Sequence, residues 1–343
     1  MPLPDLLRRY AGLGLKALAG AGIGASSLAL AAPSAGPAKA FEARFAPLYT
    51  TVFTEGGTFS GSAMSADLQA LEPLLRQPGT AARDIFRLYY TEASVYARRG
   101  MPEEAAAAAR RALAALPEPG SAELAYPHFF LRHSSIRWLA DSGQHDAALK
   151  LVHSIQARYP LQRIASLPPE MRWDSSGAEP RARDFPSQLQ ILGVYEDEAY
   201  VLHEQGRYRE AKQANMRLLA VARERLKALG MPQQLRGVLT NIAQNCYELG
   251  ELDEARAYLQ ERLQIALAAQ DDATVYDCYF QLMVLAHEQG QPQQARQWLS
   301  RYGQHAQMRR DGEQLARARE LQAELESRQP RRQPSVEDRR TAP

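Results

Sequence analysis

A glycine followed five residues later by an alanine recurs five times in this chain, at Gly100/Ala105, Gly143/Ala148, Gly206/Ala211, Gly250/Ala255 and Gly290/Ala295. Each glycine ends one amphipathic helical pattern and each alanine stands early in the next, which spells helix, tight turn, helix. The spacings of 43, 63, 44 and 40 residues predict an all-α solenoid of about five helical hairpins, with one insertion.

The formal charge of +2 arises at the N-terminus, where Arg8, Arg9, Lys16 and Lys39 face only Asp5. The rest of the chain is balanced to within one charge, which removes the basic footprint that nucleic-acid binding requires. Five of the 41 basic residues are lysine, and with the abundant alanine this points to a GC-rich bacterial genome. Residues 1–40 have the order of a secretory signal peptide: Arg8-Arg9, an Ala/Gly/Leu stretch from Tyr10 to Ala32, then small-residue sites at 29–31 and 38–40. The expected location is therefore periplasmic or secreted. The alternative is an inner-membrane anchor through residues 10–32, against which Lys16 weighs.

Residues 41–80 read as an irregular segment, 41–61, followed by a capping helix near Ala66–Arg76 with Ser65 as its N-cap and a break at Pro73. The solenoid is expected over 81–328. Its helix pairs fall at about 83–99 with 102–116, 122–141 with 144–158, 187–205 with 208–229, 233–249 with 252–269 and 272–289 with 292–309, and a sealing helix follows at 312–328. Prolines 160, 168, 169, 180 and 186 mark the insertion at 159–186, and the Arg/Pro-rich tail 329–343 is expected to be disordered. The insertion carries Trp173, which either anchors a partner or tucks onto the helices.

Small residues recur seven positions before the glycine at Ala93, Ala199 and Ala243, and large ones eleven before it at Tyr89, Tyr195, Leu239 and Tyr279. With phrases such as Gly206-Arg-Tyr-Arg-Glu-Ala211, the chain resembles the tetratricopeptide repeat family over roughly residues 85–310, in a version with repeats longer than the basic unit. The resemblance implies a right-handed superhelix that binds a peptide or protein. Arg132, Ile136 and Met283 depart from its pattern.

Chemistry is not spelled out elsewhere. His203-Glu-Gln-Gly206 and His287-Glu-Gln-Gly290 are the same tetrapeptide in equivalent repeat positions, and each lacks the second histidine four residues on that a zinc-protease helix needs. Cys246 and Cys278 stand at different heights in their repeats and read as buried apolar thiols. No metal, cofactor or catalytic residue is expected.

The resemblance further implies that the first helix of each pair lines a concave groove. On successive pairs that face would carry Arg87, Tyr90, Ser94 and Arg98, then Phe130, His133, Ser134 and Arg137, then Glu196, Asp197, Tyr200 and His203. The fourth offers Thr240, Asn241, Gln244 and Tyr247, the fifth Asp277, Phe280, Gln281 and His287. The candidate peptide-binding set drawn from these is Arg87, Tyr90, Arg98, His133, Arg137, Tyr200, Asn241, Gln244, Tyr247 and Phe280. Such a groove is basic early and acidic later, which would orient an extended peptide. The lysine/asparagine carboxylate clamp of chaperone-tail-binding relatives is not reproduced. The competing expectation is that the aromatics pack between helices and the arginines are solvated surface.

Overall fold

The computed structural model describes residues 37–53, 60–77, 80–168 and 186–327. Among them the fold is all-α, with two compact units that divide between Leu249 and Gly250. The N-terminal unit contains α1 (Pro37–Phe53), α2 (Gly61–Gln69), α3 (Glu72–Leu75), α4 (Ala82–Arg98), α5 (Pro102–Ala115), α6 (Ala122–Asp141), α7 (His145–Arg158), α8 (Leu161–Ser166), α9 (Gln188–Glu204), α10 (Tyr208–Ala228) and α11 (Leu235–Glu248). The C-terminal unit contains α12 (Leu252–Ala268), α13 (Asp272–Glu288), α14 (Pro292–Arg309) and α15 (Gly312–Ser327).

The repeated glycines do what their spacing requires. All five have φ between +67° and +75°, the left-handed region where a side chain is strained, and nothing within 4 Å would meet an added Cβ. The constraint is thus on the backbone and not on space. At Gly206 the amide donates to the His203 carbonyl at 2.8 Å and that of Arg207 to Leu202 at 2.9 Å, the paired bonds that cap a helix end. Gln270 and Arg310 take the same conformation at the ends of α12 and α14 without being glycine. The five alanines are all buried, because a larger side chain in the first turn of the second helix would push the two helices apart.

Within the N-terminal unit each second helix packs on the first helix of the next pair: α5 on α6, α7 on α9 and α10 on α11. Of the segment expected to be irregular, 54–59 lie outside the described residues and 41–53 are instead part of the helix α1. Its β-branched and aromatic run, Tyr49 to Phe53, and the proline at 47 suggested extended chain, but Pro47 lies on the exposed side of the helix. The aromatic residues at 41, 45, 49 and 53 repeat every four positions and form a ladder with centroid separations of 5.0, 5.7 and 4.7 Å. α1 packs on α2, α3 and α4, and α2 also on α4, so the three form a further, degenerate pair ahead of α4 and α5. The break between α2 and α3 falls just before Pro73 as expected. Ser65, however, lies inside α2, where its hydroxyl donates to the Gly61 carbonyl and accepts from Arg99.

The insertion begins with the short helix α8, whose Leu161 and Ile164 are buried, so the helical period does not fail at Tyr159. Buried Arg225 of α10 binds the carbonyls of Ala165 (3.3 Å) and Leu167, and donates to the side-chain oxygen of Gln188 (2.8 Å). Gln188 in turn donates to the Pro168 carbonyl at 2.7 Å, which ties the departing strand of the insertion to the start of α9. Arg225→Met is expected to destabilise the chain by about 1–3 kcal/mol in urea unfolding, because buried carbonyls lose charge-assisted donors. An unchanged midpoint would deny the tie its role. Trp173, residues 1–36 of the export-like segment and the tail lie outside the described residues, whereas the small-residue site at 38–40 falls in the first turn of α1. Among the described residues no helix is long and apolar enough to cross a membrane.

In the C-terminal unit, α13 packs on α12 and α14, and α14 on α15. Tyr276, Tyr279, Trp298, Tyr302 and His305 fill the space between α13 and α14. Cys246 and Cys278 are both buried, one in each unit.

Candidate functional site

The most connected polar cluster joins α6 to α9. His133 and Arg137 stand four residues apart, on one face of α6. Both reach Asp197 of α9, Arg137 Nε donating to Oδ1 at 2.7 Å and His133 Nε2 lying 3.0 Å from Oδ2. Asp197 is only 2% exposed. Gly193, one turn earlier, makes the approach feasible: a Cβ there would stand 3.2 Å from the His133 ring. Tyr200, one turn beyond Glu196, lays its ring 4.4 Å from the Arg137 guanidinium and donates its hydroxyl to Asp141 at 2.7 Å. Further along α9, His203 Nδ1 meets Asn245 of α11 at 2.8 Å and its Nε2 lies 3.3 Å from the Gln244 amide.

The electrostatics separate two neighbouring carboxylates. Burial alone would raise the pKa of Asp197, but Arg137 and His133 outweigh it and hold that carboxyl below the usual range. Burial and the adjacent Asp197 charge push Glu196 up to about 7, against the opposing pull of Arg137. Burial likewise disfavours the Arg137 cation, yet Asp197 raises its pKa overall. Because the folded Glu196 carboxyl binds its proton more tightly than an unfolded one, the native state holds the extra proton between pH 4.5 and 7, and stability falls as pH rises through that window. Glu196→Gln is therefore expected to stabilise the protein by about 1–3 kcal/mol at pH 8 and by little at pH 4.5. Urea melts at the two values check this, and a gain independent of pH would contradict it.

The first pair behaves differently from expectation. Arg87 is 2% exposed and is held by Glu42 of α1 through two hydrogen bonds, 2.7 and 3.2 Å, beneath the ring of Phe45. Tyr90 is buried between Phe53 and Phe86, at centroid separations of 5.1 and 5.9 Å. As the chain is folded, neither faces a ligand, because α1 covers the surface that the sequence assigned to one. Asn241 is buried on α11 and Phe280 on α13, so they too are packing residues here. Asp277 is spent on Arg262 at 2.5 Å. Arg98 is exposed at the end of α4, while His133, Arg137, Tyr200, Gln244 and Tyr247 are partly exposed. Of the nominated residues, His133, Arg137, Tyr200 and Gln244 are brought together on the linked α6, α9 and α11 surfaces. The early-basic, late-acidic groove does not survive as separate charges, since Arg87 and Arg137 are paired with carboxylates of neighbouring first helices. Glu42 was missed, and its signal was the four-residue aromatic spacing of α1.

No residue in the cluster stands as a nucleophile activated by a base. What the arrangement offers is a set of preoriented polar and aromatic side chains between successive first helices. The family model described as a tetratricopeptide repeat matches residues 87–111 and 278–301, which are the α4–α5 and α13–α14 hairpins. No curated protein matches. Among solved structures, the apo form of RapI is 12% identical with a TM-score of 0.51, the match covering 84% of this chain and 98% of that one. BtubC from P. vanneervenii is 14% identical over 85% of this chain and 94% of its own, with a TM-score of 0.48. A Rap protein complexed with competence and sporulation factor is 12% identical over 84% and 73%, with a TM-score of 0.43. The fold and the matched hairpins define a helical-repeat scaffold. Specifically, two of its hairpins are tetratricopeptide-like repeats.

Proposed function

We propose that this protein is an exported scaffold that binds a peptide or protein partner through the first-helix face centred on α6, α9 and α11. The observation that carries the reading is the Arg137–Asp197–His133 cluster with Tyr200 stacked on it. Its side chains are fixed by one another yet partly open to solvent, and a rigid aromatic beside charged groups is the composition of a binding hot spot. The tetratricopeptide-repeat matches at 87–111 and 278–301 support a scaffold role. Export rests on Arg8-Arg9 and the Ala/Gly/Leu stretch that follows.

Tyr200→Ala and Gln244→Ala together are expected to weaken partner capture at least tenfold. A charge placed on the exposed side of α10, Ala220→Glu, should leave capture unchanged. Equal capture by both variants would remove this face from consideration. For the export part, the mature protein from the soluble envelope fraction should have lost an N-terminal segment ending near residue 31 or 40; full-length mass in the membrane fraction would favour the anchored alternative.

A further inference from the structure

On the linked face, Asp197 is held by two donors and Asp141 by the Tyr200 hydroxyl. Among the described residues, Glu196 accepts no hydrogen bond and forms no ion pair, and Arg137 reaches it only through space. It is partly buried, so water solvates it incompletely. The local formal charges are one fixed cation, Arg137, against the carboxylates of Asp141, Glu196 and Asp197, with His133 committed to Asp197. Accepting the binding face argued above, we propose that Glu196 is the seat for a cationic group of the bound partner, the side chain of a lysine or arginine or a free amino terminus.

An anionic group is disfavoured at this point, because Arg137 already faces Asp197 on one side and the Tyr200 ring on another. A metal ion would find one carboxylate free and the next two engaged. A cation gains a charge-assisted hydrogen bond from an acid that otherwise lacks one, and the Tyr200 ring one turn on gives the aliphatic stem a surface to lie against. The charged groups that act on Glu196 are Asp197 on α9 and Arg137 on α6, and these in turn meet His133 of α6 and Tyr200, whose hydroxyl is on Asp141. His203 with Gln244 stands toward α11, while Glu198 points the other way, to Gln156 of α7 and Arg217 of α10. Since Glu196 must ionise to receive the cation, binding strengthens as pH rises from 6 to 8.

The test titrates the full chain by NMR with acetyl-Gly-Tyr-Lys-Tyr-Gly-amide and with the same peptide carrying norleucine for lysine. An uncapped lysine-free version tests the amino terminus. At pH 8 a cationic peptide should bind at least about tenfold more tightly than the norleucine peptide, and Glu196→Gln should abolish the difference. The difference should also shrink at pH 6. Equal binding of all three peptides, or a preference that persists in Glu196→Gln, overturns the assignment. The broader reading fails separately, when Tyr200→Ala with Gln244→Ala leaves partner capture intact.

Discussion

Replacing Asp197 with alanine is expected to destabilise the N-terminal unit by about 2–4 kcal/mol. The substitution removes the one acceptor shared by Arg137 and His133 and leaves the guanidinium, whose side chain is 22% exposed, without its carboxylate. The partial exposure of both partners places the effect below that of a fully buried pair. Urea unfolding followed by circular dichroism measures it, and a shift smaller than about 0.5 kcal/mol would show the cluster to be ornamental. The pH dependence has a definite sign. A carboxyl whose folded pKa is depressed stabilises the native state above its unfolded pKa, and that stabilisation is lost as pH falls through the lower folded value. The difference between wild type and Asp197→Ala should therefore persist at neutral pH and narrow only in strong acid.

Phe45→Ala is expected to cost about 3–5 kcal/mol, as large aromatic-to-alanine changes do in packed interiors. The ring is fully buried, stacks on Phe41 and lies 4.9 Å from the Arg87 guanidinium. Its loss opens a cavity and exposes the Glu42–Arg87 pair. Amide exchange should show α1 and the adjacent face of α4 losing protection first. If the cost is below about 1 kcal/mol, α1 is an appendage and not the first layer of the repeat array.

The hairpins were legible because their determinants are local. A left-handed residue after the first helix of each pair and a small residue five positions on are properties of single turns, and from α4 onward, α8 apart, predicted helix ends differ from observed ones by no more than two residues. The face was less legible for a physical reason. Arg87 meets Glu42 across 45 residues and Arg137 meets Asp197 across 60, so the residue that occupies each polar group is set by how neighbouring repeats dock. Periodicity assigns a side chain to a face without saying whether that face is open. Gly193 shows the limit well: its absent Cβ makes room for His133, a packing fact with no turn or motif to announce it. The α8 helix was hidden by the prolines around it, although Leu161 and Ile164 carried a three-residue apolar spacing.

Site-directed photo-crosslinking in living cells tests the central claim most directly, with a photoreactive residue placed in turn at Tyr200, Gln244 and the exposed Ala220. The account predicts the same partner adduct from positions 200 and 244 and none from position 220. Adducts confined to position 220, or no partner adduct from the two face positions, would contradict it.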